Sequence, residues 1–343
     1  MRLGLIGCSN HWRSYAEARA ALPGLEVAAV ATASPDERLA QFDGAPGVTD
    51  ATRRCDSPEA LLADGVVDAV QVSTRFDVAG RWIVAALERG LPVMAEKPLA
   101  SSLDALAAVQ AAAGRAGTPV CAMHGQRGTP LIAAARAAVR GGATGTPLVA
   151  HNQKSYRWGA RPDSYRRRST FPGVAPWIGV HVFDWLLWIL GDRFEQVSGL
   201  EGVSRPDYPA CASQAAYLLR LSDAGVATVT LDYLRPEAAP THGDERIRLA
   251  GPAGVVDLST GAGSGTIVDA AGVRPLEVAP ALPWYAGFLR TAAAFRGIAL
   301  GGPDLPDVLP AWEVFRATEV ALKAQQAVDS GRPADLRETA YRP

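Results

Sequence analysis

"RLGLIGCSNHWRSYAEARAALPGLEVAAVATAS" (residues 2–34) reads as strand, turn, helix and strand. "RLGLIG" (2–7) is an apolar strand, residues 13–21 carry helical periodicity, and "EVAAVAT" (26–32) is a second strand. The rhythm then repeats. "SPDERLAQF" (34–42) predicts a helix with Ser34 as N-cap and Pro35 in its first turn, and "SPEALLAD" (57–64) a second capped helix. "DAVQVS" (68–73) is a strand, 77–89 a helix ended by Gly90, "PVMA" (92–95) a strand, 102–116 an alanine-rich helix and "PVCAMH" (119–124) a last strand. Apolar strands separated by helices imply parallel pairing through right-handed crossovers, so residues 1–122 are expected to form an α/β, doubly wound parallel sheet. From 123 to 343 the pattern changes. A helix at 130–140 leads through "GGATGTP" to "LVAHNQKSY", and a helix near 180–190 precedes strands at 196–204, 212–221, 225–234, 244–250 and 255–258, with "GPAG" (251–254) as a tight turn. Residues 284–296 and 307–330 read as closing helices. Strands in succession imply an α+β second domain with a mainly antiparallel, open sheet.

A length of 343 residues suits two domains, and 48% hydrophobic with 20% charged residues is the balance of a soluble globular protein. The net charge of -1 gives no field for nucleic acid or anionic lipid, so the expected partner is a small molecule. Cys8, Cys55, Cys121 and Cys211 are scattered, suggesting neither a disulfide framework nor a metal site and fitting a cytoplasmic location. "LIGC" (5–8) looks like a lipoprotein cleavage box, but only four residues precede it, and it reads better as strand. "FDWLLWIL" (183–190) is too short to span a bilayer and carries Asp184.

Three stretches could carry chemistry. Only three of the 34 basic residues are lysines, Lys97, Lys154 and Lys323, and "VMAEKPLA" (93–100) places Glu96 and Lys97 at a strand end. Where positive charge alone is needed this chain uses arginine; a lysine can give up its proton when desolvated, which suits acid/base work. A solvated Glu-Lys pair is the alternative. "GCSNHW" (7–12) stands where a dinucleotide-binding chain has Gly-x-Gly-x-x-Gly; Gly7 is in place, Ser9 is small, and Trp12 replaces the glycine that permits close helix–strand packing. "ATAS" (31–34) offers no carboxylate for a ribose, only the hydroxyls of Thr32 and Ser34. In "FPGVAPWIGVHVFDWLLWILGD" (171–192), a helix from Gly179 puts His181 and Asp184 on one face, with Trp185 and Trp188 continuing the apolar side; a structural His-Asp pair is the alternative. His124 and His151 have no ligand spacing relative to these groups, and "RPDSYRRR" (161–168) is a basic loop that is either solvated or bound to an anionic substrate.

The combination of a βαβ start, Glu-Lys-Pro after the fifth strand and Gly-x-His-x-x-Asp opening a later helix resembles the glucose-fructose oxidoreductase, inositol dehydrogenase and rhizopine-catabolism (Gfo/Idh/MocA) family over nearly the whole chain. The resemblance implies a Rossmann domain holding NAD or NADP through Gly7, Ser9, Asn10, His11, Thr32, Ser73, Thr74, Glu96 and Lys97. It further implies hydride transfer at a carbohydrate or cyclitol carbon, with Lys97 and His181 catalytic and facing one cleft. A typically cis Lys97–Pro98 bond and homo-oligomers built on the open sheet also follow. Substrate contacts would come from Arg75, Trp177, Asp184 and Arg166. Departures are plain: Trp177 stands where the family commonly has aspartate, and "TRFDVA" (74–79) replaces Thr-Pro-Asn-x-x-His, leaving Arg75 either as a cation able to grip a carboxylate or phosphate or as a solvated loop residue. The other function class consistent with these departures is a relative without net redox, either a lyase, isomerase or hydratase using Lys97 and His181, or a non-catalytic binding protein.

Overall fold

Parallel pairing follows from burial: β1 (Arg2–Ile6), β4 (Ala69–Val72), β5 (Val93–Ala95) and β6 (Val120–Ala122) are apolar and almost wholly buried, as strands covered on both faces must be. This computed structural model describes residues 1–278, 284–301 and 310–341. Among the described residues the first sheet has the order β3-β2-β1-β4-β5-β6, every pair parallel, with β2 at Glu26–Ala31 and β3 at Arg53–Cys55. The order reverses between β1 and β4, so their carboxyl ends frame the crevice where open α/β sheets bind ligands.

The helices between them start where the sequence supplies caps. Ser57 accepts from the Ala60 N–H to open α2 (Pro58–Leu61), and Ser102 accepts from Ala105 to open α4 (Leu103–Ala116), which Gly117 closes at φ +61°. α1 spans Tyr15–Ala21 and α3 Phe76–Leu87. One expected helix is absent. Residues 34–42 make only a short 3-10 turn at Leu39–Phe42, and Ser34 caps nothing. The Glu37 carboxylate instead folds back to accept from the Ala33 and Ser34 N–H groups at 2.8 and 3.2 Å, holding the strand end in a loop.

The chain divides into Met1–Gly125 with Pro283–Thr318, and Gln126–Leu282 with Glu319–Pro343. Residues 283–318 belong with the first unit. There α7 (Trp284–Phe295) places Ala286, Leu289 and Ala292 in one core with Leu3, Leu5, Trp12, Tyr15 and Phe42.

The second unit opens with α5 (Pro130–Arg140) and β7 (Val149–Tyr156), then α6 (Val180–Leu190). β8 (Phe194–Gly202), β9 (Gln214–Leu221), β10 (Val226–Asp232), β11 (Gly243–Gly251), β12 (Gly254–Ser259), β13 (Ser264–Asp269) and β14 (Gly272–Pro275) follow. With β15 (Ala334–Asp335), after α8 (Ala311–Ser330), the order is β14-β13-β12-β11-β7-β10-β9-β8-β15. Pairing is antiparallel except between β7 and β10. β9 alternates exposed and buried without a break, the period-2 signature of a sheet packed on one face only. The expected Gly-Pro-Ala-Gly turn joins β11 to β12.

Candidate active site

Gly7 sits at φ +82°, its N–H donating to Ala31 O at 2.8 Å, while the Ser9 N–H donates to Ser73 O at 2.9 Å. These bonds lace the carboxyl ends of β1, β2 and β4 together. A Cβ at position 7 would lie 2.5 Å from Ser73 O and 2.6 Å from Thr74 Cβ, so only glycine fits. Ser73 and Thr74 are fully buried, and among the described residues the Thr74 hydroxyl has no hydrogen-bond partner. Asn10, at φ +53°, and His11 are exposed.

Trp12 occupies the position of the family's last glycine. Its ring is buried, edge-on to Phe42 at 5.2 Å and beside Tyr15 at 6.4 Å. The chain makes room with a 3-10 turn at Trp12–Ser14, so the α-helix begins only at Tyr15.

Glu96 is 2% exposed and answers part of the question posed by its pairing with Lys97. Its Oε2 accepts from the His11 N–H at 2.9 Å and lies 3.1 Å from His11 Nδ1, while its Oε1 lies 3.9 Å from Lys97 Nζ. Burial alone would raise this carboxyl's pKa; the charge and hydrogen bonds of His11, with Lys97 behind them, outweigh it and hold Glu96 below the ordinary carboxylate range. Lys97 itself is 1% exposed, and its bond to Pro98 is cis. A solvated pair is therefore excluded.

Sequence reasoning missed Glu37. Besides the two backbone donors, its Oε1 accepts from Ser9 Oγ at 2.8 Å, which puts a 5%-exposed carboxylate beside Thr32 and Ser34 at the end of β2. The signal was the Ser34-x-x-Glu37 spacing of a capping box, here formed without the helix. The side-chain-free cradle at Gly7, the orphaned Thr74 hydroxyl and this carboxylate fit a dinucleotide laid across the reversal of strand order. Arg75 does not contribute a ready cation: its guanidinium is held by Asp77 at 2.7 and 2.9 Å and by Asp36 at 3.3 Å.

In the second unit a π-helical turn at Ala175–Gly179 leads into α6, which carries His181, 7% exposed, on its first turn. Trp185, one turn on and on the same face, donates from Nε1 to Asn152 Oδ1 at 2.9 Å. Asp184 is fully buried and receives a fork from Arg127, Nε to Oδ2 at 2.9 Å and Nη2 to Oδ1 at 2.6 Å. That fork is a buried ion pair with no solvent exposure on either side chain. Trp177 is buried and edge-on to Tyr165 at 5.9 Å. Arg166 is exposed, paired with Asp163 at 2.9 Å. Lys97 thus belongs to the first unit, and His181, Asp184, Trp177 and Arg166 to the second.

A family profile described as an oxidoreductase family with an NAD-binding Rossmann fold matches residues 1–124, and one for the GFO/IDH/MocA C-terminal domain matches residues 132–257. The chain is 28% identical over 217 residues to inositol 2-dehydrogenase 2 of Saccharopolyspora erythraea, covering 61% of this chain and 60% of that protein. It is 26% identical over 258 residues to D-apiose dehydrogenase of Paraburkholderia graminis, covering 74% and 66%, so under two thirds of either relative's length is spanned. A solved protein of Thermotoga maritima superposes with a TM-score of 0.86 at 27% identity, over 98% of this chain and 100% of that one. With both profiles matched in order and each fold in place, the chain belongs to the Gfo/Idh/MocA oxidoreductase family.

Proposed function

We propose that this protein is an NAD(P)-dependent dehydrogenase of a sugar, cyclitol or sugar-like metabolite, with Lys97 as its proton-transfer group. The observation that carries the reading is a lysine buried to 1% at the carboxyl end of β5, in a unit whose neighbouring strand ends form a cradle suited to a dinucleotide. Relatives named for inositol and apiose support the substrate class. The bound dinucleotide would accept the hydride; the rest falls to the chain. Gly7, Ser9 and Asn10 would admit the pyrophosphate, Thr32 and Glu37 the ribose, and Ser73, Thr74 and His11 the nicotinamide side. Lys97 would take the substrate hydroxyl's proton, and His181 would serve the same reaction as a relay.

Calorimetric titration with NADH and NADPH tests this reading. Glu37 favours NADH, because a buried carboxylate at the ribose repels a 2′-phosphate; the expected preference is about tenfold or more, each tenfold being about 1.4 kcal/mol. No heat with either nucleotide at millimolar concentration would overturn the dehydrogenase and leave Lys97 and His181 to a reaction without net redox.

The second unit's outer sheet face supports self-association. Leu200, Leu218 and Val226 are 80%, 55% and 44% exposed on neighbouring strands, more apolar surface than a lone sheet face needs to leave in water. Sedimentation is expected to report an oligomer; a monomer at working enzyme concentrations would refute this. No described helix is long and apolar enough to cross a membrane, and none of the four cysteines is in a disulfide, which supports a cytoplasmic placement.

A further inference from the structure

On the inner face of the second unit's sheet, alternate residues of β7 form a column: Asn152, Lys154, Tyr156. Lys154 is fully buried and neutralised there. Its Nζ lies 2.7 Å from Glu245 Oε1, with the rings of Tyr156 and Trp185 at 4.6 and 5.5 Å, and Thr260 Oγ donates to the other Glu245 oxygen at 2.6 Å. Beyond the strand end the balance of charge fails. Arg157, Arg161 and Arg205 gather around Trp158, Tyr208, Tyr233 and His242, and no carboxylate pairs with any of these three arginines among the described residues. The Arg161 guanidinium lies over Tyr233 at 4.5 Å and over Trp158 at 5.6 Å, and Arg205 over Trp158 at 4.8 Å. The Nε atoms of Arg161 and Arg157 are buried and make no hydrogen bond, although Arg157 Nη2 already donates to the Ala239 carbonyl, so Arg161 is the less engaged of the two.

Two guanidinium N–H groups shut away from water and unsatisfied are costly for a protein to keep, unless something accepts from them. His242 is stacked on Tyr156 at 5.0 Å; burial first, then Arg161 and Arg157, push its pKa below the ordinary imidazole value, against the weaker opposing pull of Glu237 and Glu245. The Tyr233 hydroxyl beside them is likewise buried with no hydrogen-bond partner among the described residues.

We propose that Arg161 and Arg157, set among Tyr156, Trp158 and Tyr233, form a binding site for the carboxylate of a polyhydroxylated acid, so that the substrate is a sugar acid and not a neutral sugar. This deepens the dehydrogenase reading and rests on it. The forked guanidinium matches a carboxylate and the aromatic walls accept a carbon skeleton. It also relocates the anion site anticipated in the basic loop at 161–168 from exposed Arg166 to the loop's first residue.

The test is calorimetry of the full chain, with and without NADH, against a panel of hexuronates and aldonates and their neutral counterparts, glucose and myo-inositol. At least one acid is expected to bind about tenfold or more tighter than every neutral compound. Arg161→Gln should weaken it about 10- to 100-fold, and Arg161→Lys, which keeps charge and ring contact but loses the fork, by a smaller factor. Arg248→Gln removes the same charge from the opposite sheet face and should leave binding unchanged. Neutral compounds binding as well as every acid, or acid binding indifferent to Arg161→Gln and Arg161→Lys, would overturn the site. If NADH binds and the acids do not, the site fails alone; if the acids bind and no nucleotide does, the dehydrogenase reading fails alone.

Discussion

Replacing Lys97 by arginine is expected to lower turnover about 100- to 10,000-fold, the range of a lost general acid/base, while nucleotide affinity changes little. The substitution keeps the positive charge beside Glu96 and removes only the ability to exist without it, since a guanidinium stays protonated throughout the working pH range. At 1% exposure the larger side chain could also disturb packing, so Lys97→Met is the companion variant. A charge-only role predicts an active Arg variant and a dead Met variant; proton transfer predicts that both are dead. Steady-state kinetics on the substrate found by screening sugars, cyclitols and sugar acids reads the difference, with thermal unfolding of each protein as the control. Near-full turnover in Lys97→Arg would end the proposed mechanism.

The second large effect is on stability. Asp184→Asn leaves the Arg127 guanidinium with a neutral amide where a carboxylate received both of its forked N–H groups, and neither side chain has any solvent exposure. Breaking one side of such a pair typically costs about 3–5 kcal/mol, whereas replacing both partners by apolar residues is often close to neutral. Asp184→Asn should therefore lower the denaturant midpoint sharply, and the double variant Arg127→Met with Asp184→Leu should recover most of that loss. A single variant as stable as the parent would show that the pair contributes nothing. The outcome also bears on His181. Comparing His181→Asn with Asp184→Asn then separates what the histidine does from what the buried Arg127 pair does.

The strand rhythm of the first unit and the capped helix at Ser57 were legible because each depends on residues close together in sequence, whereas the burial of Lys97, left open against a solvated pair, is set by the sheet around it. What escaped was decided at a distance or against local preference. Asp184 was read with His181, three residues away; its forked ion pair with Arg127, 57 residues away, could not be seen from local spacing. Arg75 was left between an anion-binding cation and a solvated loop residue; Asp77, two residues on, closes on it once α3 begins, because charge spacing alone does not say whether a loop arginine turns outward or back. Ser34 and Glu37 have the spacing of a helix start, but the Ser9 hydroxyl, brought alongside by the sheet, competes for the carboxylate. β13 and β14 are short and largely polar, formed by ladder pairing more than by apolar pattern.

The position of α7 has a consequence for how this chain is made. Ala286, Leu289 and Ala292 complete a core whose other members, Leu3 to Ala69, are translated first. A nascent chain that has released only residues 1–125 leaves the part of α1 that meets α7 uncovered, although the rest of its apolar side packs on Leu3, Leu5, Trp12 and Phe42. Domains usually fold in the order of their synthesis. Here the earliest-made sheet must wait, partly uncovered, until the intervening second unit has left the ribosome, a window in which a holdase chaperone or the second unit's own folding rate governs yield.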